Sequence, residues 1–151
     1  MKNIPSHLAS ISITLWVGSL WAIGYLAVPI LFHAQPDRQL AGMLAGELFH
    51  AAGYLDLFCG VYLLSYDFRR SGRAVLRLRS FWLVVSMLLI SLEINFGIQP
   101  IMSALKAQAL PLDVMNSPYA GQFKMLHGVS SIAYLAESLL GILLVIKDQD
   151  C

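Results

Sequence analysis

The chain has 151 residues, 58% of them hydrophobic and only 13% charged, with a net charge of +1 and a mean hydropathy of +0.68. A soluble domain of this size carries roughly a quarter charged residues, and about half that proportion leaves too little charge to cover a water-facing surface. A soluble domain, a disordered chain and a nucleic-acid binder are all disfavoured, the last because +1 gives no basic field for phosphate; one bundle of membrane helices would use the whole length.

The first predicted element lies between residues 3 and 36, which contain no Asp, Glu, Lys or Arg. Its apolar centre, residues 8–32, is longer than the about 20 residues a helix needs to cross the hydrocarbon core. The lone Lys2, the length of the apolar stretch and the lack of a small-x-small site before the aromatics argue against a cleavable leader. Thr14, Trp21, Tyr25 and His33 form a polar stripe along this span, and Gly18 and Ala22 a small-residue one. Pro36 and Asp37 predict a hinge.

The second span covers residues 48–66 and is interrupted by Asp56. Lipid tails are as apolar as Leu, so membrane helices associate through small residues that let backbones approach. Gly42 and Gly46 make a GxxxG step, and Gly46, Gly53 and Gly60 recur every seven residues. These four glycines are read as the seam between the first two helices; the same stripe also suits a homo-oligomer or a larger membrane complex. Arg69, Arg70, Arg73, Arg77 and Arg79 follow.

The third span, residues 81–102, carries Glu93, with Ser91, Asn95 and Gln99 at i, i+4 and i+8 on another face. A loop over residues 104–122 leads to the fourth span, residues 126–146. There His127, Ser130, Ser131, Tyr134, Glu137 and Ser138 recur at steps of three and four, which is one helical face. None of the runs alternates with the period of two that a barrel strand shows, and without water to satisfy the backbone they must be helices. The expected fold is all-α, an integral membrane four-helix bundle forming a single domain over residues 1–151. The Arg segment, Lys2 and Lys147 outnumber Arg38, Lys106 and Lys124 on the other side, so the positive-inside rule places the Arg loop and both termini in the cytoplasm.

Two constellations carry chemistry. Asp56, Glu93 and Glu137 fall at middle depth in three different spans, with no basic residue at that level. An ionisable group near the bilayer centre faces the bundle interior and has a partner. One reading has these acids uncharged, or sharing protons with Asn95, Tyr54 and Tyr134, and locking helices together. The other makes Asp56, Glu93, Asn95, His127, Ser130, Tyr134 and Glu137 an interior site for a proton or small cation. The second constellation is His33, His50 and His127, on three helices at one rim. Three such residues can hold a transition metal, or a haem iron through one or two of them; they serve equally as interfacial anchors or caps. No motif for a nucleotide cofactor, a nucleophile or a phosphate loop is present, so the reading leans away from an enzyme. Cys59 and Cys151 lie at different depths and are expected to stay unpaired.

Three segments carry a family resemblance: residues 15–19 with 28–32, residues 41–49, and residues 123–131 with the pattern Phe-x-x-x-His-Gly-x-Ser. Together they resemble the transmembrane protein 205-like family, and because the chain lacks the long loop between the last two helices of the eukaryotic form, the resemblance implies a bacterial member in the inner membrane. The resemblance implies four membrane helices and no established catalytic activity, and a eukaryotic member's link to platinum-drug resistance hints at movement of a metal complex. It carries over to Pro29, Gly42, Phe49, His127 and Ser130; His33 and His50 stand outside its pattern. Three functions follow as expectations: binding or translocation of a small cation, proton or metal complex; an accessory subunit of a larger membrane complex; or a b-type haem oxidoreductase.

Overall fold

The computed structural model describes residues 4–149, so Lys2 and Cys151 lie outside the described residues. Four helices are long and apolar enough to cross a membrane: Ile4–Ala34, Arg38–Arg77, Arg79–Ala109 and Ala120–Lys147. They are built from α1 (Ile4–Trp21), α2 (Val28–Ala34), α3 (Arg38–Ser71), α4 (Arg79–Leu92), α5 (Gln99–Ala109) and α6 (Ala120–Gln149). No strand occurs among the described residues. The all-α bundle of membrane-spanning helices expected from hydropathy is what the chain forms. Each helix runs past its expected apolar centre by a turn or more at one end at least.

The first and third spans share one irregularity. A π-helical turn, Ala22–Ala27, precedes α2, and another, Glu93–Ile98, precedes α5. Pro29 and Pro100 sit at the start of the α-helical segments that follow. Proline has no N–H, and its ring presses on the carbonyl four residues earlier. Those carbonyls belong to Tyr25 and Phe96, inside the widened turns. A π turn holds more residues than an α turn, so side chains beyond it point elsewhere than a regular helix would aim them.

The helix ends follow local chemistry. Asp37 caps α3, its carboxylate accepting from the Gln39 and Leu40 amides at 2.9 and 3.2 Å. Gly72 ends α3 at φ 52°, a left-handed conformation that side chains with a Cβ rarely adopt. The Arg-rich turn that follows is pinned where the Trp82 indole donates to the Leu76 carbonyl at 3.0 Å.

Helix α1 packs on α3 and α6, and α4 packs on the same two. The four spans therefore form a ring in chain order. Toward the Arg-turn end the core is apolar, with Trp16, Cys59, Leu63, Val84, Met87 and Leu144 buried. A smaller cluster of Met102, Leu105 and Phe123 closes the other end. Large apolar side chains also cover the outside, Phe58 and Ile132 among them at 72% exposure. Such a surface suits lipid rather than water.

The glycine stripe divides in two, which corrects part of the expected seam. A Cβ on Gly53 would overlap the Asn95 amide, and one on Gly60 would meet Leu88 at 2.7 Å and Trp16 at 3.1 Å. These two do allow close helix approach. Gly46 has nothing within 4 Å of such an atom, and Gly42 meets only Lys106 and Phe32 at ordinary contact distance. Gly42 and Gly46 therefore do not pack a helix; they face a cavity.

Candidate functional site

Between the two apolar clusters lies a polar layer near the middle of the helices. Asp56 comes from α3, Ser91 from α4, Asn95 from the π turn that follows, and Glu137 from α6. All four are buried, Glu137 to 2% and Asp56 to 7% exposure. The Ser91 hydroxyl donates to the Glu137 carboxylate at 2.5 Å. Asp56 lies close enough to Ser91 and Glu137 to interact with both, so two acids share one buried layer with a single serine. The Asn95 amide donates back to the Ser91 carbonyl at 2.9 Å. That fixes its side chain against Gly53, where only a hydrogen leaves room.

Trp16, fully buried in α1, completes the ring. Its indole approaches the Glu137 carboxyl, yet its N–H meets no partner at hydrogen-bond geometry. Asp56 Oδ1 and Asn95 Oδ1 are likewise buried without a partner. Buried polar groups are nearly always paired, and an unpaired one marks a strained or functional place or one that takes up water or an ion. Three of them, one donor and two acceptors, belong to residues grouped around a single serine.

Above this layer, Tyr134 forms a lid. Its hydroxyl donates to the Leu20 carbonyl at 2.5 Å, and its ring meets Phe49 edge to face, centroids 5.4 Å apart. The Tyr25 hydroxyl donates to Ser138, which in turn donates to the Tyr134 carbonyl, at 3.0 and 2.9 Å. Beyond Phe49 lies the cavity, about 260 Å³, lined by Phe32, Gly42, Gly46, Phe49, Lys106 and His127 among others.

Not every expected site residue joins the layer. Asp56, Asn95 and Glu137 do. Tyr134 borders it. Ser130 is buried, but its hydroxyl donates to the His127 carbonyl one turn back at 2.9 Å, a local bond. His127 is exposed and stacks on Phe123. Glu93 is a correction: it is exposed, on the outside of the bundle, with its carboxylate beside Gly97 of its own helix. It opens the π turn, and the inward positions there are taken by Ile94 and Asn95.

The three-histidine site is also corrected. No group of three or more His, Cys, Asp or Glu that could hold a metal occurs among the described residues. His33 is exposed at the end of α2, His50 meets Tyr54 edge to face with centroids 5.0 Å apart, and His127 has its own aromatic neighbour. Trp16 was missed as a site residue because aromatics in a membrane span read first as belt or packing. Only its complete burial distinguishes it. Ser91 was visible in a polar stripe, but nothing in its spacing paired it with Glu137.

A family model described as a domain of unknown function, DUF4149, matches residues 11–111. The chain belongs to this family. The DUF4149 match runs from α1 through α5 and includes Trp16, Asp56, Ser91 and Asn95; Glu137, on α6, lies beyond it. No curated protein and no solved structure shows a significant match to this DUF4149 chain.

Proposed function

We propose that the Asp56–Ser91–Glu137 layer binds a proton or small cation inside the membrane, and that passing it along the bundle is what the protein does. The observation that carries this reading is two buried carboxyls, Asp56 and Glu137, in one layer with Ser91, which donates to Glu137, while Asp56 Oδ1, Asn95 Oδ1 and the Trp16 indole N–H are left unpaired. Acids kept inside a hydrocarbon-facing bundle are costly and mark proton or ion paths. Carboxylate, hydroxyl and amide oxygens are also the ligands a hard cation takes.

The bundle is read as one domain in a bacterial inner membrane, with the Arg turn and both termini cytoplasmic by the positive-inside rule. The finer kinship, to transmembrane protein 205-like proteins, rests on the motif positions. Of these, Pro29 follows the first π turn, and Gly42, Phe49 and His127 line the cavity.

The test is flux into vesicles that enclose a pH-sensitive dye, or a sodium-sensitive one, under an imposed gradient. Glu137→Gln and Asp56→Asn should each reduce flux at least tenfold while the protein still folds, and Glu93→Gln should leave it unchanged. Wild-type flux from folded Glu137→Gln protein would remove the reading.

A further inference from the structure

The geometry points to a second, separate site: the cavity between α2, α3, α5 and α6 binds a lipophilic monocarboxylate, with its head on Lys106 and its apolar part among Phe32, Phe49 and Phe123. The cavity, about 260 Å³, is at the small end of ligand pockets, which run about 300–1,000 Å³. Its walls are mostly aromatic and aliphatic. Where a tail would lie, the wall includes Gly46, and a Cβ there would enter open space.

The polar end is defined by charge. The Lys106 ammonium donates to the Gly42 carbonyl at 2.9 Å and lies 5.6 Å from the centre of the Phe123 ring. It has no ion pair among the described residues, so one carbonyl is its hydrogen-bonding partner although an ammonium has three donors. Arg38 stands at the same end of the cavity. The one carboxylate in the lining, Asp113, accepts from the Met115 amide of its own loop at 2.7 Å. Two cations against one engaged acid leave an excess positive charge beside an apolar chamber. A cation in such a wall is complemented by an anion, and the chamber behind it excludes a fully hydrated one.

This site does not depend on the carboxyl layer, which lies beyond Phe49 and Tyr134. The experiment uses the full chain in phosphatidylcholine nanodiscs and a dansyl-labelled undecanoic acid, whose emission shifts on entering an apolar site. Saturable binding should be displaced by decanoate and at least tenfold less well by decanol. Gly46→Leu, whose Cβ has no atom within 4 Å, should fill the chamber and abolish binding in protein with an unchanged helical spectrum. Lys106→Met should weaken binding at least tenfold. Equal displacement by decanol, or wild-type binding by folded Gly46→Leu protein, would overturn the proposal. So would loss of probe binding in discs containing phosphatidylglycerol, which would give the cavity to a membrane lipid instead. Glu137→Gln should leave probe binding intact, so failure here and failure of the carboxyl layer are read separately.

Discussion

Gly53 and Asn95 meet so closely that the glycine's missing side chain is what lets the amide lie flat between α3 and the third span: a Cβ on Gly53 would overlap the Asn95 carboxamide. Asn95 cannot easily move away, because its amide is bonded to the Ser91 carbonyl. Gly53→Ala should therefore destabilise the protein by about 1–3 kcal/mol, the usual cost of overpacking. Gly46→Ala, which meets open space and adds a better helix former, should be neutral or slightly stabilising. Thermal unfolding in detergent compares the two; equal melting temperatures would mean the contact is not tight.

Ser91 and Glu137 should be coupled energetically. Interhelical hydrogen bonds in membranes are worth about 0.6 kcal/mol on average and up to about 1.7. This one is short, buried and made to an acid, so a double-mutant cycle with Ser91→Ala and Glu137→Gln should give a value near the upper end. A coupling near zero would show that the serine is a bystander rather than a partner of Glu137.

Much of this was legible in the sequence, for reasons that separate cleanly. The helices were visible because hydropathy and the need to satisfy the backbone in lipid act on whole segments. Asp56 and Glu137 were visible because an acid in an apolar run is an anomaly by itself. Glu93 is the same anomaly, and the sequence alone grouped it with them. Its direction follows from helical spacing, two residues from both Ser91 and Asn95 and so on the side away from them, but depth in the membrane is blind to direction. The glycines show the same limit: a spacing of seven puts Gly46, Gly53 and Gly60 on one stripe, but which of them meets a neighbour depends on where α3 and its partners diverge. They close on Trp16 and Asn95 and part around the cavity. Lys106 was counted only for topology, since a lysine near a helix end says nothing of a chamber behind it.

The orientation proposed from the arginines makes its own prediction. Ala74, in the Arg-rich turn, and Asn116, in the loop before α6, are both exposed. Cysteines placed singly at these positions, with Cys151 replaced by Ser, should be labelled from opposite sides of the membrane. Ala74→Cys should react only when the cytoplasmic face is opened. Cys59, 1% exposed, should stay silent in both. The reverse pattern would invert the bundle without altering its interior.

Glu93 gives the sharpest contrast with Glu137. Both lie near the middle of their helices, but one is on the outside of the bundle and the other is 2% exposed. A hydrophobic carbodiimide dissolves in the bilayer and reacts with carboxyls that face it. Treated in membranes, the protein should carry the adduct on Glu93 and not on Glu137 or Asp56, as located by mass spectrometry of the digested chain. Glu93→Gln should abolish labelling and leave stability within about 0.5 kcal/mol, as for an outward position that packs nothing. Labelling of Glu137 in the folded protein would mean that the interior layer opens to lipid between α4 and α6, and the closed ring of four helices would have to be redrawn. Protection of Glu93 would instead mean that another chain covers it, since a carboxyl facing hydrocarbon alone has no other shelter.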